Sequence, residues 1–204
     1  ALLEAGAVGM VVDDTGSTAL HAAASAGSEV VIELLLDSKA DLEAEDDRGR
    51  SPFLRAVKAG QLGAAVQLLA RRADLGARSA DGATALHIAA IEGDEELMNM
   101  LIQRKADVNA TENLGLTPLH DAASASQTAA VELLLRHQAL PTAREHYAAS
   151  PLHYACSAGA AAAAAALAAA KADPTQASDR GTPLHVAAAG GQEEVVVLLL
   201  GLGV

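Results

Sequence analysis

The sequence predicts an all-α chain, a solenoid of stacked helix–turn–helix units with projecting loops or hairpins. Three observations predict it. A short peptide recurs with small changes: "GSTALHAAA" at 16–24, "GATALHIAA" at 82–90, "GLTPLHDAA" at 115–123 and "GTPLHVAAA" at 181–189. Its first position returns every 33 residues, at Gly16, Gly49, Gly82, Gly115, Ala148 and Gly181. The composition is half hydrophobic, but only Phe53, Tyr147 and Tyr154 are aromatic. Ala, Leu and Val supply the apolar mass, which suits close-packed helices better than sheets. A fixed period of this length is the mark of a repeat array, each unit too small to bury its faces alone.

Each repeat opens with Thr or Ser (Thr18, Ser51, Thr84, Thr117, Ser150, Thr182), residues whose side-chain oxygen caps a helix by accepting a backbone N–H. Proline at 52, 118, 151 and 183 fits the first helical position, where no donor is needed. Alanine pairs such as Ala23–Ala24, Ala89–Ala90 and Ala122–Ala123 let neighbouring helices approach closely. Gly27, Gly60, Gly93, Gly159 and Gly191 then end the short helix in a left-handed turn, and Ser126 in that slot predicts a strained one. A second helix follows from apolar spacing, as in Val31, Leu34 and Leu35 or Leu97 and Leu101. Lys39, Arg72, Lys105 and Lys171 close it, cations placed to complement the helix dipole. Segments such as "ADLEAEDDRG" and "ADVNATENLG" are expected to project as loops. The fifth second helix is replaced by "GAAAAAAALAAAK" at 159–171. Alanine makes the best helix but has little surface to bury, so this repeat is expected to be the soft point of the array.

The unit resembles the ankyrin repeat, whose signature is T-P-L-H-x-A on the same period. "TPLHDA" at 117–122 and "TPLHVA" at 182–187 match in full; "TALHAA", "TALHIA" and "SPLHYA" nearly so, and "SPFLRA" at 51–56 least. The resemblance implies one array over 1–204: a trailing half repeat at 1–12, complete repeats at 13–45, 46–78, 79–111, 112–144 and 145–177, and a truncated one at 178–204. The opening without methionine and the uncapped apolar end "VVVLLLGLGV" suggest a piece of a longer protein.

Histidine recurs at 21, 87, 120, 153 and 185, with Leu54 in its place once. In the ankyrin pattern it follows the cap and hydrogen-bonds near the Thr or Ser three residues earlier. The pairs Thr18–His21, Thr84–His87, Thr117–His120, Ser150–His153 and Thr182–His185 are therefore expected to be structural. Stacked helices lie roughly 8–10 Å apart, whereas two ligands of one zinc ion sit within about 4 Å of each other. Equivalent histidines therefore cannot share a metal. Neither a phosphate loop nor an HExxH or CxxC motif is present, and Cys156 occupies a slot otherwise held by Ala or Val, as a small buried filler. No catalytic residue, metal site, cofactor or small-molecule substrate is expected.

A net charge of −12 argues against nucleic acid and anionic membrane as partners, and no stretch of about 20 apolar residues offers membrane insertion. The single cysteine excludes an intrachain disulfide and favours a reducing compartment, so the expected location is intracellular, in the cytoplasm. The resemblance implies that the chain binds another protein or peptide on a concave surface of loop tips and first helices. Specificity is then sought where the pattern is broken. One such departure is a strip of Ile91, Leu114, Leu116, His146, Tyr147 and Tyr154, apolar or aromatic where polar groups would serve solubility. The bland alternative is that the leucines fold onto neighbouring loops and Tyr154 fills space. Another is Arg48, Arg50 and Lys58 in the second repeat, placed to grip an acidic peptide or else neutralised by the acidic run Asp37 to Asp47. Two other functions stand beside a binding module: a regulatory or targeting array of a larger enzyme or channel, and a structural spacer. Asn109 sits in the loop slot that ankyrin proteins can have hydroxylated; a structural role is its other reading.

Overall fold

The computed structural model describes residues 11–204, so most of the trailing half repeat expected over 1–12 lies outside the described residues. Among these residues there are twelve helices in six consecutive pairs and no strand. The pairs are α1 (Ala19–Ser25) with α2 (Glu29–Asp37), α3 (Pro52–Lys58) with α4 (Leu62–Ala70), and α5 (Ala85–Glu92) with α6 (Glu95–Gln103). Then come α7 (Pro118–Ser124) with α8 (Thr128–Arg136), α9 (Pro151–Ala158) with α10 (Ala161–Ala169), and α11 (Pro183–Ala189) with α12 (Glu193–Gly201). The chain forms two compact units that divide after Ile88, inside α5.

In the first unit α1 packs on α3 and α2 on α4; in the second α7 packs on α9, α9 on α11, α8 on α10 and α10 on α12. First helices thus stack on first helices and second on second. The core of each unit follows from that. Leu20, Phe53, Leu54 and Leu68 are fully buried in the first; Leu119, Leu134, Leu152 and Leu167 in the second. Alanine lines the contact (Ala122, Ala123, Ala155), where a larger side chain would hold the helices apart.

Each helix end has a local cause. Thr18 and Ser51 are extended N-caps whose side chains accept the backbone N–H three residues on, and Pro52, Pro118, Pro151 and Pro183 open their helices. The left-handed glycine after the short helix is needed twice over in the second unit. Gly93 and Gly159 have φ of +71° and +72°, and a Cβ on either would land on the side chain of Gln127 or Gln192. Those glutamines begin the second helix of the next repeat and donate back to the carbonyls of Ile91 (3.2 Å) and Ser157 (3.3 Å). Ser126 takes the left-handed conformation (φ 58°) without being glycine, a strained position. The N-cap one repeat on is Ala160 rather than glutamine.

The cations closing the second helices do more than face the dipole. Lys39, Arg72, Lys105 and Lys171, with Gln138, all have positive φ, between 64° and 74°. They are the left-handed residue of a Schellman motif: Lys39 N–H bonds Leu36 O and Ala40 N–H bonds Leu35 O. The spacing showed where the helix ends but not this backbone demand, because among the described residues glycine marks the slot only once, at Gly203 (φ 85°).

Loop tips join edge to edge within each unit. Asp47 N–H donates to Thr15 O and Ala80 N–H to Arg48 O; in the second unit His146 N–H donates to Leu114 O and Asp179 N–H to Tyr147 O. Asn109 bridges neighbouring repeats, donating to Gln138 O (3.3 Å) and accepting from Leu140 N–H (2.9 Å). In the same slot two repeats earlier, Glu43 accepts from Asp74 N–H at 2.9 Å.

Candidate functional site

At His21, His120 and His153 the recurring histidine is held at both ring nitrogens. Nδ1 of His21 accepts from the Thr18 backbone N–H (3.1 Å) and lies 2.9 Å from its hydroxyl. A nitrogen that accepts from an N–H is bare, so the proton sits on Nε2, which donates to Arg50 O of the next repeat at 2.8 Å. His120 and His153 repeat the arrangement, reaching Ala149 O (3.3 Å) and Gly181 O (3.2 Å). His87 and His185 pair with Thr84 and Thr182 in the same way at Nδ1. Burial pushes the pKa of His21 and His153 down, although the carbonyls that accept from them pull it up. A ring held at both nitrogens, as in His21, His120 and His153, has neither a free lone pair nor a free proton for catalysis. It is a clip between repeats.

Cys156 is fully buried, and burial alone pushes its thiol up to about 12, so it is not a thiolate nucleophile at neutral pH.

A carboxylate slot also recurs, at Asp13, Asp46, Glu112 and Glu145, and reading by composition passed over it. Each carboxylate accepts the N–H groups two and four residues on and so ties the loop tip: Thr15 and Ser17, Arg48 and Arg50, Leu114 and Leu116, Tyr147 and Ala149. The signal that could have found it was the same 33-residue spacing. Asp46 hid it, lying inside what looked like a plain acidic run. In the second repeat this carboxylate is buried and carries two guanidinium groups as well, Arg50 at 2.9 Å and Arg55 at 3.0 Å. Burial would raise its pKa, but the Arg50 N–H, both guanidinium groups and the Arg48 N–H together hold it at about 2. Arg50 is thus engaged within its own repeat, while Arg48 and Lys58 stand exposed on the same unit.

The apolar strip is brought together in part. Tyr147 and Tyr154 line one cleft of about 120 Å³, with Glu145, Ser157, Arg180 and Val186 on its other sides. Tyr147 is 57% exposed and Tyr154 half-buried, its ring edge-on to His120 with centroids 5.5 Å apart. Leu114 (48% exposed) and the exposed His146 sit on adjacent tips, joined through the bond from His146 N–H to Leu114 O. Leu116 is half-buried in the Glu112 turn, and Ile91 is exposed on α5 with its carbonyl held by Gln127. Neither lines the cleft. Arg180, Ser157 and Val186 were not legible beforehand, because only the folded contact of the fifth and sixth repeats faces them toward the tyrosines.

Among the described residues, no group of three or more His, Cys, Asp or Glu is placed to hold a metal ion, and no helix is long and apolar enough to cross a membrane. The family model for ankyrin repeats, itself three repeats long, matches residues 1–79, 53–145 and 139–204. No curated protein matches the chain.

Proposed function

The chain belongs to the ankyrin-repeat family, and on that premise we propose that it is a non-catalytic module that binds a partner protein or peptide at its loop tips and first helices. Ankyrin repeats generally mediate protein–protein interaction; the finer statement concerns where. The observation that carries it is the pair of exposed hydrophobic side chains on neighbouring tips, Leu114 and Tyr147, beside the cleft that Tyr147 shares with Tyr154. Large apolar groups held by rigid turns lose little entropy on binding, which makes them effective anchors. The polar groups best suited to chemistry are used in the fold: histidines such as His21 join neighbouring repeats, and the turn carboxylates tie their own loop tips. This supports recognition rather than catalysis. We place the module in a reducing, intracellular setting, consistent with a lone thiol that is buried and un-ionised.

Peptide-display selection against the whole chain tests the reading. Peptides enriched on the wild type should bind the Tyr147→Ala, Leu114→Ala double variant at least about tenfold more weakly, since anchors of this kind each contribute on the order of 1–2 kcal/mol. Both side chains are exposed, so the fold should survive. Equal binding to both proteins would move the site off this surface.

A further inference from the structure

The carboxylate slot is filled in two electrostatically different ways. In the second repeat Asp46 is met by the guanidinium of Arg55, which projects from the fourth residue of α3. In the fifth repeat the equivalent carboxylate is Glu145, and the position equivalent to Arg55 is Tyr154. Glu145 is 4% exposed and accepts only two backbone N–H groups, from Tyr147 at 2.8 Å and Ala149 at 3.0 Å. Among the described residues, no cation lies within ion-pair distance of it. Where Arg55 stands in the second repeat there is here the cleft walled by Tyr147 and Tyr154.

We propose that this cleft takes a basic side chain, an arginine, from a peptide partner, its guanidinium meeting Glu145 as Arg55 meets Asp46 and stacking on the two tyrosine rings. The proposal rests on the binding-module reading and names the chemistry of its ligand. Three features of the cleft favour a cation. Carboxylate oxygens keep acceptor capacity after one hydrogen bond each, and a buried anion without a counter-charge gains most from one. Aromatic faces attract guanidinium groups, and Arg stacks on them better than Lys. The field at Tyr154 is negative on balance: burial raises its pKa first, and Glu145, Asp121 and Glu112 add to the rise against Arg180 alone. At longer range, the charge of −12 draws basic peptides in. Arg180 on the rim opposes the ligand and sets a limit on its affinity.

The chain has two tyrosines and no tryptophan, so tyrosine fluorescence reports on this cleft. The whole chain is titrated with acetyl-Leu-Arg-Leu-amide and with its citrulline and glutamate counterparts. The arginine peptide should change the emission saturably, with the citrulline peptide, nearly the same shape without the charge, roughly tenfold weaker. Glu145→Gln should remove that preference. Because Glu145→Gln can also loosen the tip, Arg180→Ala is run beside it; this side chain is exposed and makes no ion pair among the described residues, and its loss should tighten the arginine peptide severalfold. Equal binding of the arginine and citrulline peptides, tighter binding of the glutamate peptide, or weaker arginine binding in Arg180→Ala would each overturn the proposal. If these peptides fail while display yields ligands that depend on Tyr147, only the arginine assignment falls. If display also yields none, the module reading falls with it.

Discussion

At the scale of single residues, the groups that look most reactive are those most fully spent on structure. Asp46 shows the balance in magnitudes. Taking a carboxylate out of water disfavours its charge, yet two N–H groups and two guanidinium groups bring its pKa to about 2 instead of raising it. A folded pKa below the unfolded value of 3.8 means that the unfolded chain binds the proton more readily. The resulting stabilisation is therefore complete above about pH 5, amounts to roughly 2 kcal/mol, and is lost as pH falls through 3.8 toward 2. Asp46→Asn keeps an oxygen for the Arg48 and Arg50 N–H groups but removes the charge. Urea unfolding should find the variant about 2 kcal/mol less stable at pH 7, where two half-buried guanidinium groups are left without their counter-charge. The gap should close near pH 2. A gap that persists unchanged in acid would show that the turn, not the charge, was lost.

At the scale of elements, the joint between one repeat's first helix and the next repeat's second is set by a pair of positions rather than by either alone. Glycine at 93 and 159 goes with glutamine at 127 and 192, because the glutamine carboxamide fills the space a Cβ would take. Where glycine is replaced by Ser126, the partner is Ala160, too short to collide. Reading the sequence slot by slot found the strain at Ser126 but not its compensation, since the two residues belong to different repeats and only the fold brings them together. Ser126→Gly alone should stabilise by about 1 kcal/mol through relief of the left-handed strain. Ala160→Gln alone should gain nothing or destabilise. Together they should give more than their sum, by about 1 kcal/mol, as the new carboxamide reaches the Ser124 carbonyl in the manner of Gln127 with Ile91. A double-mutant cycle in urea measures the coupling; strict additivity would mean that the two sites do not meet.

At the scale of the molecule, the fold was legible because it is the same local instruction given repeatedly: cap, proline, histidine, glycine and apolar spacing each agree with one geometry. The binding surface was legible only in part. Tyr147 and Tyr154 could be picked out as breaks in the pattern, but Arg180 and the carboxylate of Glu145 acquire meaning only when adjacent repeats are folded together. The same repetition makes stability a sum of intrinsic and nearest-neighbour terms, so a weak unit is felt locally. In the second unit α8 buries Ala130, Val131, Leu133 and Leu134, whereas α10 buries Ala163, Ala164 and Leu167. Each methylene missing from a buried surface forgoes about 0.8 kcal/mol, and the gain in helix propensity from alanine is no more than about 0.7 kcal/mol per residue. Packing therefore outweighs propensity, and α10 is held less firmly than α8. Its amides should exchange with deuterium roughly tenfold or more faster, an opening free energy lower by at least about 1.4 kcal/mol. Replacing Ala164 by valine, the residue that α8 carries at the equivalent Val131, should slow exchange across α10 as a whole if the deficit is one of buried volume. Equal protection of α8 and α10 in the wild type would show instead that closer approach of the alanine helix restores what its side chains lack.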